Sequence, residues 1–313
     1  MQIFDAEATA AALPFERLVP ALRQRFAAGC EVPARQVHEI VLQDGGTCTS
    51  LIMPAWAVAG AAGHYGVKIV NIAAANAARG IAAVQASYLL FDAATGVPRA
   101  LIDGRVLTAR RTAAASALAA SYLARADARR LLLVGAGAVA RLLPEAYLAV
   151  RPIEQVRVWA RTLAGADALV AGLRSRGIDA AACTDLDAAA AQADIVSCAT
   201  LATAPLVRGR CLAAGSHLDL IGSFTPQMRE ADDDCFAGAS IYVDSDEALK
   251  KSGDLLGPLQ RGVVAQSQLR GTLAALCRGE AAARRTPAER TVFKSVGTAL
   301  EDLAAAMQVV GAA

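Results

Sequence analysis

The segment Leu131-Leu-Leu-Val-Gly135-Ala-Gly137-Ala-Val-Ala140 constrains the fold most, because an apolar strand-like run enters a G-x-G-x-x-A turn and leaves as a helical pattern. In that context each small residue has a task. Gly135 permits a tight turn, Gly137 lets backbone N–H groups approach a pyrophosphate, and Ala140 lets the helix pack close to the strand with its dipole toward the anion. Ala136, Ala138 and Val139 complete the candidate cofactor loop. The competing interpretation is an ordinary glycine turn between strand and helix. Strands predicted at 131–134, 156–159, 180–183, 195–198, 217–221 and 241–244 alternate with helical segments, the order of a doubly wound parallel sheet. Ala199 and Thr200, directly after the fourth of these strands, join the cofactor-binding candidates.

The end of the second strand selects the dinucleotide, since an Asp or Glu there accepts from the ribose 2′-hydroxyl and repels a 2′-phosphate. Here the residues are Val158-Trp159-Ala160-Arg161-Thr162. The carboxylate is missing; Arg161 can grip a phosphate in bidentate fashion and Thr162 adds a hydroxyl. NADP(H) is therefore expected over NAD(H), the alternative being that Arg161 is a solvated loop residue.

The chain has 313 residues, enough for two domains, and is 55% apolar, much of it alanine, with 4% aromatics, so an aliphatic core is expected. Its 31 basic and 29 acidic residues leave a net charge of +2 without a basic stripe, which argues against a nucleic-acid partner. Asp5, Glu7 and Glu16 interrupt the N-terminal region where a secretory signal needs a basic start and an unbroken apolar run. No apolar stretch reaches the roughly 18–20 residues that span a bilayer. A cytoplasmic protein without a membrane partner is expected. The seven cysteines are widely spaced with no C-x-x-C pattern, and His38, His64 and His217 are isolated, so reduced thiols and no metal are expected.

Before the glycine turn the pattern is mainly β. Two short helices over 5–28, capped by Asp5 and begun at Pro14, precede a hairpin of 37–42 and 47–53 around Gln43-Asp-Gly-Gly46. A strand at 67–72 and a second hairpin of 84–91 and 97–102 follow. Thr108 is read as the cap of a helix through residue 126, which sets Arg110 and Arg111 in its first turn, where the macrodipole disfavours cations and a ligand anion would offset them. Two-residue alternation puts Lys68 on one face with Gly66 and Val70, pointing into a cleft or, alternatively, to solvent. The tail over 287–310 is read as one amphipathic helix packing back on the first domain.

These segments resemble the ornithine cyclodeaminase/mu-crystallin family over nearly the whole length. The likeness is carried by Pro33-Ala-Arg35, Leu51-Ile-Met-Pro-Ala55, Gly66-Val-Lys68-Ile-Val70, Ala78-Arg79-Gly80, Leu107-Thr-Ala-Arg-Arg111-Thr-Ala-Ala, the glycine turn, Gly222-Ser-Phe-Thr-Pro226-Gln-Met-Arg-Glu230, Gly253-Asp-Leu-Leu256 and Phe293-Lys-Ser-Val-Gly297. The resemblance implies an α/β protein: a Rossmann-type doubly wound domain over 111–289 and an α+β substrate-binding and dimerisation domain over 1–110 with 290–313. It implies a homodimer, with the substrate site formed against the dinucleotide domain. Arg35, Lys68 and Arg111 match the family's cations for a substrate carboxylate, and Thr112 adjoins the cofactor.

Two chemistries compete within that family: cyclodeamination of ornithine to proline and ammonia, and reduction of cyclic ketimines such as Δ1-pyrroline-2-carboxylate or Δ1-piperideine-2-carboxylate. By resemblance, cyclodeamination uses an Asp two residues before Pro226, where this chain has Phe224. A phenyl ring cannot exchange a proton. Asp219, five residues earlier and roughly 16 Å away along an extended strand, is too far to replace it without a bend. Ketimine reduction is therefore favoured, with Lys68 and Arg111 as catalytic candidates and Phe224 and Met53 as an apolar wall beside the ring or plain core. A non-catalytic NADP(H)- and ligand-binding protein of crystallin type is the third possibility.

Overall fold

The computed structural model describes residues 1–43, 46–57 and 63–311. The chain divides into two compact units, Met1–Thr112 with Thr298–Ala313, and Ala113–Gly297.

The first unit begins with β1 (Gln2–Phe4), α1 (Ala6–Ala12) and α2 (Phe15–Ala28), then β2 (Gln36–Val41), β3 (Thr47–Trp56), β4 (His64–Ile72), β5 (Val84–Asp92), β6 (Pro98–Asp103) and α3 (Gly104–Leu123), within which the division of the units falls. Asp5 caps α1 by accepting from Ala8 N at 2.9 Å. The six strands lie in the order β1-β6-β5-β4-β3-β2, with β1 parallel to β6 and every other pair antiparallel. The central residues Asp44 and Gly45 of the first expected hairpin turn lie outside the described residues. Its strands pair from Gln36 opposite Ile52 to Val41 opposite Thr47.

Register sorts the side chains onto two faces, because directly opposed residues share a face. Met53, Lys68, Tyr88 and Ile102 form one continuous row, and all four are buried. The neighbouring row, Pro54, Val67, Leu89, Leu101 and Ile3, belongs to the opposite face and is half-buried to exposed.

The second unit contains β7 (Arg130–Val134), α4 (Leu143–Leu148), β8 (Gln155–Trp159), α5 (Leu163–Arg174), β9 (Ala180–Ala182), α6 (Leu186–Gln192), β10 (Ile195–Cys198), β11 (His217–Leu220), β12 (Ser240–Val243), α7 (Glu247–Lys251), α8 (Gly253–Gln260), β13 (Leu269–Thr272), α9 (Leu273–Arg278) and β14 (Thr291–Lys294). All eight strands are parallel, in the order β13-β12-β14-β11-β10-β7-β8-β9. Burial on both faces leaves near-continuous apolar strands such as Leu131–Val134. The chain reverses direction across the sheet between β7 and β10, the switch point where such folds take ligands at the carboxyl ends of the strands.

Finally α10 (Ala299–Val309) returns to the first unit, packing on β3, β4 and β5 with α2 against it. The single helix expected over 287–310 is thus a strand followed by a helix: Thr291–Lys294 is a buried central strand of the parallel sheet. Four buried residues carry no alternation that separates strand from helix. The start of α3 also differs from expectation. Asp103, not Thr108, caps it, its Oδ1 accepting from Arg105 N at 3.0 Å and Val106 N at 2.8 Å. Arg110 and Arg111 consequently lie beyond the first turn, and the dipole penalty argued for them does not apply.

His217, at the start of β11, is fully buried and holds Thr291 Oγ1 at 2.9 Å through Nδ1. Burial, aided by the Arg284 and Arg151 charges, pushes its pKa down to about 3. The unfolded chain binds a proton below about pH 6.5 that the folded chain refuses, so this contribution is complete above that pH and is lost as pH falls toward 3. The expected slope is about 1.4 kcal/mol per pH unit between pH 6 and 4. Thermal melts of wild type and His217→Gln across that window test this, and parallel slopes would refute it.

Candidate active site

In the first unit α10 opens with Thr298 as N-cap and two carboxylates, Glu301 and Asp302, in its first turn, where the helix dipole favours them. The spacing Thr298-x-x-Glu301 suits a capping box. The Glu301 carboxylate instead reaches Arg111 Nη1 at 2.5 Å. Asp302 bridges two cations, with Oδ1 2.9 Å from Arg111 Nε and Oδ2 2.7 Å from Lys68 Nζ. All four residues are buried, between 0% and 6% exposed. Two cations matched by two carboxylates avoid the several kcal/mol that an unpaired buried ion costs. Burial pulls the Lys68 ammonium down to about 8 against the attraction of Asp302, while the neighbouring cations hold Asp302 below the usual carboxylate range despite its own burial.

Met53 and Tyr88 flank Lys68 in register. The Tyr88 hydroxyl is buried and has no hydrogen-bond partner among the described residues. Arg35 precedes β2 and is half-buried. Thr112 lies next to Arg111 on α3, its Oγ1 donating to Thr108 O at 2.8 Å. The anion expected to offset Arg111 is thus supplied by the protein. Arg110 is occupied elsewhere, donating to Leu13 O at 2.8 Å with its guanidinium 4.6 Å from the Phe15 ring centroid.

In the second unit Gly135 has φ +117°, and a Cβ there would meet Ala199 O at 2.5 Å. Only glycine fits. That contact brings the glycine turn against Ala199 and Thr200, as the candidate list requires. A Cβ on Gly137 would meet nothing within 4 Å, so its backbone is open to an approaching group. The chain then winds through turns, with Arg141 N donating to Gly137 O at 3.1 Å, before regular helix starts at Leu143. This is later than the motif suggests. Arg161 is exposed beyond β8, and Thr162 caps α5, its Oγ1 accepting from Gly165 N at 3.3 Å. Close by, Trp159, Thr184, Asp185, Asp187, Leu206 and Arg208 line a cleft of about 560 Å³. A backbone cradle beside a cleft of that size fits a dinucleotide.

Glu230, which the sequence reading assigned no role, ties the neighbouring loops together. Its Oε1 accepts from Thr200 N at 2.7 Å and Thr200 Oγ1 at 2.8 Å, and its Oε2 from Gly222 N at 2.7 Å. Asp254 in turn accepts from Glu230 N at 2.9 Å and lies 3.8 Å from the fully buried Lys294 Nζ, which donates to Leu220 O at 2.9 Å. A Cβ on Gly222 would meet Thr200 O at 1.9 Å, so the loops after β10 and β11 touch through a glycine. Phe224 follows in the second of these loops with its residue 48% exposed, no part of the core. Asp219 is fully buried and accepts from Ser116, Ser197 and Tyr147 hydroxyls, at 3.2, 2.5 and 2.8 Å; burial raises its pKa.

The profile of the ornithine cyclodeaminase/mu-crystallin family matches residues 16–313. The chain belongs to that family. Among its relatives, the Δ1-pyrroline-2-carboxylate reductase of Paracoccus denitrificans is 43% identical over 293 residues, 93% of this chain and 90% of the relative. The Thermococcus litoralis Δ1-pyrroline-2-carboxylate reductase, solved with NADH and L-proline, superposes with a TM-score of 0.91 at 30% identity, covering 100% of this chain and 97% of that one. An archaeal alanine dehydrogenase dimer with bound NAD gives a TM-score of 0.89 at 26% identity, covering 100% and 95%. The mixed architecture with one parallel dinucleotide-type sheet is therefore that of the ornithine cyclodeaminase/mu-crystallin family. Among the described residues there is no metal-ligand cluster of three or more His, Cys, Asp or Glu, and no helix is long and apolar enough to cross a membrane.

Proposed function

We propose that this chain is an NAD(P)H-dependent ketimine reductase that converts Δ1-pyrroline-2-carboxylate or Δ1-piperideine-2-carboxylate to the cyclic amino acid. The observation that carries the choice over ornithine cyclodeamination is the pair Phe224 and Asp219. The first exposes a phenyl ring where the cyclodeaminase pattern has a carboxylate, and the second is committed to three hydroxyls in the interior. Reduction needs no proton exchange at a distal amine. The two reductases reported above support the same choice.

In this reading Lys68 and Arg111, with Arg35, receive the substrate carboxylate, and binding replaces an orientational search. Gly135 to Val139 with Ala199, Thr200 and Thr112 hold the dinucleotide, which supplies the hydride for the C=N carbon. Met53 and Phe224 form the apolar wall. The Lys68 ammonium, eased toward neutrality by burial, can release a proton to the ring nitrogen of a substrate that arrives unprotonated. Consumption of NADPH or NADH on adding the cyclic imine, with the cyclic amino acid identified as product, tests the proposal; no turnover on any cyclic imino acid would defeat it.

NADP(H) preference forms part of the proposal, resting on the exposed Arg161 and the absence of a carboxylate at the end of β8. Arg161→Ala is expected to weaken NADPH at least about tenfold, the value of one charge-assisted phosphate contact, and to leave NADH nearly unchanged. Equal losses for both would return Arg161 to a solvated loop. A homodimer is proposed through the sheet of the first unit, whose row Ile3, Leu101, Leu89, Val67 and Pro54 is apolar and incompletely covered. A cytoplasmic site of action fits seven cysteines that are all free thiols.

A further inference from the structure

We propose that Asp302 is the positioning residue of the substrate site, holding Lys68 and Arg111 at fixed places and keeping Lys68 charged so that the two receive one carboxylate. This rests on the reductase reading of the same cluster. Its two oxygens make the contacts to different cations, Oδ2 to Lys68 Nζ at 2.7 Å and Oδ1 to Arg111 Nε at 2.9 Å, and its side chain is 0% exposed. No other carboxylate pairs with Lys68 among the described residues, whereas Arg111 also has Glu301.

The consequence is electrostatic as well as geometric. A lysine out of water favours the neutral amine, which attracts no carboxylate, and Arg111 nearby pushes the same way. Asp302 opposes both. Around this group stand Arg111 from α3, Lys68 from β4, Tyr88 from β5 and Glu301 from α10 itself; Arg25 of α2 is engaged further along α10, on Met307 Sδ at 3.2 Å. Asp302 thus decides whether Lys68 offers a charge at neutral pH.

Asp302→Asn preserves shape and removes the charge. In the full-length protein it is expected to raise KM for the cyclic imine at least about tenfold with a much smaller change in kcat, and to leave the dinucleotide Kd unchanged. The basic limb of kcat/KM against pH is expected to move down by at least about one unit, the usual effect of losing an adjacent opposite charge. Pyrrole-2-carboxylate, which has the ring and carboxylate but no reducible C=N bond, serves as a calorimetric probe and should lose affinity in parallel. A purely structural role would lower the melting temperature and leave KM, the pH limb and probe affinity in place, and that result overturns the proposal. If Asp302→Asn does not fold, Asp302→Glu and the double variant Lys68→Met/Asp302→Asn replace it. In the double variant the two losses are expected to be strongly non-additive, and additive losses overturn the proposal. Wild type that binds the probe but reduces no imine defeats the reductase reading alone; active wild type with unchanged variants defeats the Asp302 role alone.

Discussion

Lys68→Met is expected to reduce kcat/KM for the cyclic imine by about 10³-fold, the equivalent of about 4 kcal/mol of lost transition-state stabilisation. Two losses combine in that number. The substrate carboxylate forfeits one of its cations, and Asp302 is left fully buried with Arg111 as its remaining partner. Breaking one side of a buried pair costs more than the pair contributes, because the surviving charge keeps its desolvation penalty. Dinucleotide affinity, followed through the fluorescence of Trp159 at the cleft, is expected to survive. Near wild-type turnover would show that Lys68 serves only the packing of its sheet.

The second large effect is discrimination between substrates. Ammonia release from ornithine with NAD⁺ or NADP⁺ is expected to run at least about 10²-fold slower than reduction of Δ1-pyrroline-2-carboxylate, since a positioned general acid–base group contributes about 10²–10⁴-fold. Both reactions transfer hydride at the α-carbon, so what separates them is proton handling at the distal amine. Parallel assays of ammonia, proline and NADPH measure the ratio directly; comparable rates would mean that a carboxylate other than Asp219 reaches that amine. Phe224→Asp is the converse test. Its residue is half exposed, so the new carboxylate is tolerated by the fold, and it is expected to impair imine reduction while introducing cyclodeamination.

Local features were legible in the sequence and long-range charge pairing was not. The alternation Gly66, Lys68, Val70 correctly turned Lys68 inward, and the glycine turn was placed between β7 and the winding that leads to α4. The partners of Arg111 lie 190 and 191 residues away in sequence, on a helix read only for its apolar face. A signal was present: Glu301 and Asp302 are adjacent acids in an otherwise apolar helix, and buried acids demand cations. Glu230 escaped for a different reason, since its partners are backbone N–H groups, which no sequence pattern identifies. The α3 boundary moved because Asp103, a cap as good as Thr108, stands at the end of a strand.

The position of α10 carries a consequence for how the molecule is made. The second unit is one continuous stretch and can close its core as soon as Gly297 has been synthesised. The first unit cannot, because the helix that lies on β3, β4 and β5 comes after that whole stretch. Its sheet therefore waits, apolar face uncovered, through most of translation, a period in which strand edges invite aggregation. Bringing α10 home closes a very long loop, though the entropic cost grows only with the logarithm of loop length. The same docking event delivers Glu301 and Asp302 to Arg111 and Lys68, so completion of the core and assembly of the charged cluster become a single late step in folding.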